Sequence, residues 1–141
     1  MSKLFIPGQP VPQPRHQVAV RGRYPVAYIP DNHRIHNYKS EIALHAKSMF
    51  PEPLQSSFSV QCVFCFERPA SHWNKKGLSK NAKRWPRADV DNLIKAVLDS
   101  LNDVVWFDDV QVVSVSGLRR WHSDRAVPGY TEVHLEEIDE P

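Results

Sequence analysis

Apolar and polar positions along this chain alternate with two periods, and each change of period marks a new element. Residues 3–6, KLFI, form a short apolar run stopped by Pro7-Gly8, which predicts a first strand ending in a turn. A proline-rich extended stretch, GQPVPQPRHQ, comes next. Residues 17–20 and 24–29 read as the two arms of a hairpin across Arg21-Gly22-Arg23. Helical spacing then predicts a helix over 35–50, with Asp31-Asn32 offering an N-cap and Pro51 and Pro53 closing it. The clearest strand is 57–67, SFSVQCVFCFE, rich in β-branched and aromatic residues. Residues 68–88 are read as an irregular basic insertion. After a second helix, strands are predicted over 110–119 and 130–136, separated by a turn at Pro128-Gly129, with a frayed acidic tail over 137–141. The pattern predicts one α/β (α+β) domain over 1–141, a mixed β-sheet packed by two main helices.

The second helix belongs to the stretch the chain is organised around, residues 87–113, RADVDNLIKAVLDSLNDVVWFDDVQVV. In an extended lead-in, Asp89 and Asp91 project to the same side with Val90 turned away. From Asn92 the period becomes helical, with Leu93, Ala96, Val97, Leu101 and Val104 on one apolar stripe. Lys95 falls one helical turn after Asp91. A second acidic pair, Asp108-Asp109, opens the following β-like run. The two acidic pairs are separated by one helix of about 18 Å, and a helix returning beside a strand can bring both to one end of a sheet.

Composition sharpens this picture. A chain of 141 residues suits one domain. No stretch approaches the roughly 20 apolar residues of a membrane span. The N-terminus lacks the features of a secretory signal. Two cysteines in such a chain fit a reducing, cytoplasmic setting. The net charge of +2 hides an asymmetry: residues 1–88 carry 14 Lys+Arg against 4 Asp+Glu, and residues 89–141 carry 4 against 12. A basic half joined to an acidic half suits a protein that grips a polyanion and sets metal-binding carboxylates beside it.

Each chemical feature has a plain structural reading beside the functional one. Asp-x-Asp also serves as a helix N-cap, and Asp91, Lys95 and Asp99 at four-residue spacing form a solvated ion-pair ladder on an ideal helix. The second acidic pair favours chemistry, because clustered carboxylates repel unless a cation shares them. Mg²⁺, with Mn²⁺ as a substitute, takes oxygen ligands and keeps several waters, so three Asp side chains suit it. Such an ion activates water and neutralises phosphoryl charge, which suits phosphodiester hydrolysis. The insertion supplies Arg68, Lys75, Lys76, Lys80, Lys83, Arg84 and Arg87 without an acidic residue, interleaved with Trp73 and Trp85. Cations steer phosphates, and aromatics stack on unpaired bases; the plain alternative is a solvated loop. Cys62-x-x-Cys65 lies on a strand, where its members face opposite ways, so it is not read as a redox or zinc motif. His33-x-x-His36, with no matching cysteines, reads as polar surface or a DNA-facing pair. No P-loop, dinucleotide fingerprint or nucleophile elbow is present.

The run DVDNLIKAVLDSLNDVVWFDDVQVV over 89–113 resembles the signature of the RusA family of Holliday-junction resolvases. IPGQPVPQPR over 6–15 and Tyr-Ile-Pro at 28–30 are similar to family members as well, many of them encoded by phages and prophages. The resemblance implies a RusA-like fold and a homodimeric, Mg²⁺-dependent endonuclease that cuts four-way DNA junctions. It implies Asp89, Asp91 and Asp109 as catalytic, metal-associated carboxylates, Lys95 as the catalytic lysine, and Arg15 among the phosphate contacts. Lys95 either stabilises the transition state or is only a rung of the ladder. Asp108 is expected to support Asp109 rather than to bind metal. The rival readings are a branched-DNA-binding protein that never cuts and an Asp-x-Asp metal-dependent nucleotidyl transferase.

Overall fold

The computed structural model describes residues 1–138, save for the side chain of Arg21. Its elements are β1 (Ser2–Pro7), β2 (Gln17–Arg21), β3 (Tyr24–Tyr28), α1 (Ile35–Met49), β4 (Ser57–Phe66), β5 (Trp73–Asn74), β6 (Gly77–Leu78), α2 (Val90–Leu101), β7 (Val112–Trp121) and β8 (Tyr130–Ile138). The main sheet has the order β1-β8-β4-β7. It is mixed, as expected: β4 pairs in parallel with β7 and antiparallel with β8, which pairs antiparallel with β1. None of the described helices is long and apolar enough to cross a membrane.

Alternation along the strands decides which face is covered. Leu4 and Ile6 of β1, Phe58, Val60, Cys62, Phe64 and Phe66 of β4, and Val133 and Leu135 of β8 are all buried. Against them lie Ile35, Tyr38, Ile42 and Ala46 of α1 and Leu93, Ala96, Val97 and Leu101 of α2. Both helices therefore cover one side of the sheet. The helix stripe read from the sequence faces the core position for position, and its burial is the main stabilising term. After α2 the chain tucks Trp106 into this core, its ring tilted against Phe58 at 5.4 Å between centroids and its indole N–H bonded to Asn102. Cys62 and Cys65 are both buried and unbridged, and burial pushes the Cys62 thiol up to about 12. A thiol held neutral in this way is inert.

Several local expectations are corrected. Asp31 and Asn32 do not cap α1; Arg34 is the N-cap residue, and the ring of His33 accepts the Ile35 N–H at 3.1 Å. His36 bonds the Pro30 carbonyl at 2.9 Å, so both histidines of the close pair serve the turn before α1. Strand β8 runs to Ile138, two residues into the stretch expected to fray, and 139–141 lie outside the described residues. The insertion is irregular over most of its length, as expected, but holds two short ordered pieces. Trp73 and Leu78 pair in a small hairpin that turns at Lys75-Lys76 and resumes at Gly77 with φ near +117°, a conformation suited to glycine. The base of the insertion is fixed by Lys83, whose carbonyl accepts from both Arg68 and the Trp121 indole.

Candidate functional site

Asp89 is the N-cap residue of α2, but its carboxylate makes no cap bond. The capping explanation therefore fails for Asp89, whereas Asp91 accepts the Asn92 N–H at 3.2 Å within the first turn. Helix α2 begins at Val90, two residues earlier than the spacing suggested, so Asp91 lies in its first turn. The Asp89 and Asp91 carboxyls share a hydrogen bond, which raises Asp89 above the ordinary carboxylate range and lowers Asp91. Two exposed carboxylates held this close repel when both are ionised, and a cation between them relieves that repulsion. A positive charge that acts on Asp89 comes from Arg119, at the far end of β7, whose guanidinium is anchored by a 2.9 Å bond to the Pro86 carbonyl. Arg119 also lines an open cleft of about 280 Å³ beside Asp89, together with Trp85, Val90, Gly117 and Leu118.

Gly117 sets how closely α2 lies on the sheet. A Cβ at this position would stand 2.7 Å from Ile94 Cδ1 and 3.2 Å from Val90 Cγ2. The first turns of α2 thus rest on the strand where it has no side chain. The proline-rich segment reaches the same place, since the Gln13 N–H donates to the Asn92 carbonyl at 2.9 Å. Arg15 follows, exposed, at the root of the β2–β3 hairpin.

The second acidic pair sits on a 3₁₀ turn, Asp109–Gln111, rather than on the strand predicted from 110. Asp108 caps this turn through the Val110 N–H, a bond that holds its carboxyl low, and the Gln111 side chain completes a capping box. Gln111 also donates to the carbonyls of Leu54 and Ser56. Asp108 is thus structural, and Asp109 is the member of the pair left exposed. Its carboxyl is raised by the hydrogen bond it gives to its neighbour Asp108 and by Asp99, and Lys95 opposes this.

Asp109 therefore lies beside the later turns of α2, near Lys95 and Asp99, and Asp89 and Asp91 lie at the first turn. The two acidic pairs are not brought to one end of the sheet. Among the described residues, no three Asp, Glu, His or Cys side chains come together to hold one metal ion. The ion-pair ladder does not form either. Asp99 pairs with Lys39 of α1 at 3.7 Å, and Lys95 makes no ion pair among the described residues. Its ammonium is exposed between the two carboxylate pairs.

The basic surface divides in two. Lys75, Lys76, Lys80, Lys83, Arg84 and Arg87 are exposed along the insertion that runs into Asp89. Arg68 is instead half-buried, stacked over the Trp121 ring and bonded to the Lys83 carbonyl, so it holds the insertion in place. Trp85 is 50% exposed beside the cleft, with Arg84 over its ring at 6.0 Å. Trp73 is half-buried and its indole nitrogen is wholly covered, so it presents far less ring.

The match to the family of the RusA endodeoxyribonucleases runs over residues 7–133, from the proline-rich segment through both acidic pairs and into β8. The chain belongs to the RusA family. RusA proteins are endodeoxyribonucleases that act on Holliday junctions, and they are generally metal-dependent. A further relative is the protein YqaN of Bacillus subtilis strain 168, described only as uncharacterized, 29% identical over 119 residues, which is 80% of this chain and 82% of YqaN. Sequence reasoning missed Arg119 and Gln13 as neighbours of the acidic pair in this RusA chain. Both reach the first turn of α2 from distant segments, and no local spacing signals such contacts.

Proposed function

We propose that this RusA protein is a Mg²⁺-dependent, structure-selective endodeoxyribonuclease that resolves four-way DNA junctions by paired nicks, acting as a homodimer in recombination, repair or phage DNA processing. One observation carries the reading: the exposed carboxylates of Asp89, Asp91 and Asp109 flank Lys95, which makes no ion pair among the described residues, directly after a strip of six exposed cations. Carboxylate oxygens are the ligands that Mg²⁺ or Mn²⁺ takes, so Asp89, Asp91 and Asp109 are the candidate holders, although one protomer does not assemble all three. The bound ion would supply Lewis-acid activation of water and phosphate. Lys95 is placed to neutralise charge that grows on a phosphoryl oxygen. The strip from Lys75 to Arg87 would follow the DNA backbone, and Trp85 would stack on a base unpaired at the branch point. A four-way junction needs two opposed nicks, which a two-fold pair of sites supplies.

The test is a labelled four-way junction incubated with the protein, with Mg²⁺ or with EDTA. Symmetric nicks with Mg²⁺ only are expected. Equal junction binding in both conditions without any nick would instead identify a branched-DNA-binding protein.

A further inference from the structure

Alternation along β7 sends its two neighbouring arginines to opposite faces of the sheet. Arg119 goes to the helix side, toward Asp89 and the Pro86 carbonyl. Arg120 goes to the face away from both helices, where the register sets Arg120, Cys65 and Tyr130 in one row across β7, β4 and β8. The outer two members of the row join: an Arg120 Nη2–H donates to the Tyr130 hydroxyl at 2.8 Å, and Cys65 between them is buried. Together with Trp121, His122 and Ser123 they line a cavity of about 110 Å³.

The lining donates and carries no negative charge. Arg120 makes no ion pair among the described residues, and a guanidinium with one N–H bonded to a hydroxyl keeps four others. Because the Tyr130 oxygen accepts from Arg120, its own proton is free to be given. The His122 ring accepts the Asp124 N–H on Nδ1 at 3.0 Å, which leaves the proton of the neutral ring on Nε2. Ser123 adds a hydroxyl. Among the described residues no carboxylate lines the space, and Asp124 meets His122 through its backbone. Donors gathered around an uncompensated guanidinium select an oxyanion, and the arginine fork matches phosphate in particular. The volume exceeds the roughly 30 Å³ of one water and admits a tetrahedral oxyanion.

Position links this cavity to the basic surface. Tyr130 stacks on Phe5 with 5.1 Å between centroids, and His122 stands edge-on to Tyr130, so the walls are braced by packing. The His122 N–H bonds the Phe66 carbonyl at 2.7 Å, and the Trp121 indole bonds the Lys83 carbonyl at 3.0 Å. The cavity therefore sits at the root of the insertion that carries the strip of cations.

We propose that this cavity is an oxyanion pocket that holds one phosphate group of DNA, on the opposite face of the sheet from Asp89 and Arg119. That the oxyanion belongs to DNA rests on the proposed function; the selection of an oxyanion does not. Two phosphates of one substrate have the required chemistry, an internal diester of an uncut arm and the terminal monoester that hydrolysis leaves.

Inorganic phosphate is the first probe. Titrated into the isotope-labelled full chain at constant ionic strength, it should shift the amide resonances of Arg120, His122 and Ser123 along saturating curves, and chloride should not. Arg120→Gln should abolish that saturation with the fold intact by circular dichroism, and Tyr130→Phe, which deletes one donor, should weaken it severalfold. In junction binding across a salt series, Arg120→Gln should lower the log–log slope by roughly 0.9, the share of one phosphate contact. Oligonucleotides ending in a phosphate or in a hydroxyl separate the two sources. Tighter binding of the phosphorylated end, lost in Arg120→Gln, identifies the monoester; equal binding of both identifies the internal diester. Phosphate shifts that never saturate, or that survive Arg120→Gln, would overturn the pocket whether or not the chain cuts. Saturable phosphate with an unchanged salt slope would overturn its use for DNA and leave the nuclease reading standing. A parental chain that binds phosphate here yet never nicks a junction would remove the nuclease reading and keep the oxyanion pocket.

Discussion

The carboxylates carry the sharpest consequences at the residue scale. Asp89→Asn, Asp91→Asn and Asp109→Asn should each abolish junction cutting while binding persists, since each removes charge with little change in volume. Stability without metal should hold or rise, because Asp89 and Asp91 repel when both are ionised; a junction-nicking gel and a thermal melt check the two halves. Asp103→Asn is the apt control: Asp103 sits at φ 63°, a conformation that Asn tolerates, and it contacts the core turn only through its backbone N–H to Trp106. Asp99→Asn should also keep activity, losing at most a few tenths of a kcal/mol with the partly exposed Lys39 pair. Lys95 is the second case. With no ion pair to lose, Lys95→Ala should leave the melting temperature unchanged and lower the cutting rate by about 10²–10³, the usual cost of one oriented electrostatic donor. An unchanged single-turnover rate would remove Lys95 from the chemistry.

Among the elements, the contact of α2 with β7 is the most exposed to perturbation. Gly117→Ala introduces a methyl 2.7 Å from Ile94, so the first turn of α2 must lift or Ile94 must turn. The cost should be about 1–3 kcal/mol, the range for overpacking. Because the displaced turn carries Asp89 and Asp91, the rate should fall further than the melt predicts. This contact also marks where the sequence stops being legible. The amphipathic stripe of α2 and the strand 57–67 are local patterns, and each is found where its period puts it. The 3₁₀ turn at Asp109, the cap role of His33 and the reach of Arg119 toward Asp89 depend on segments far apart in sequence. Charge spacing likewise suggested the Lys95 ladder, but packing of α1 against α2 brings Lys39 to Asp99 first. The small hairpin of the insertion and its anchor were not legible, because the Trp121 indole that bonds the Lys83 carbonyl comes from outside the segment.

On the scale of the whole molecule, a basic rim leads into an acidic centre. Replacing Lys75, Lys76, Lys80 and Lys83 by Ala should lower the log–log salt slope of junction binding by up to about 3–4 units per protomer, at roughly 0.9 per phosphate contact; fluorescence anisotropy across a salt series checks it. Trp85→Ala should weaken junctions more than intact duplex, whereas Trp73→Ala, with its ring half-covered, should act mainly on stability. The β2–β3 hairpin has a different consequence. Its strands pair only with each other, and Val18, Val20, Tyr24, Val26 and Tyr28 all face solvent. A two-stranded ribbon is marginal by itself in water, so in free protein its amides should exchange with deuterium far sooner than those of β4, whose opening requires the core to come apart. Because the hairpin follows Gln13, whose N–H is bonded to Asn92 in the first turn of α2, slower exchange there on adding junction DNA would report engagement of substrate before any strand is cut.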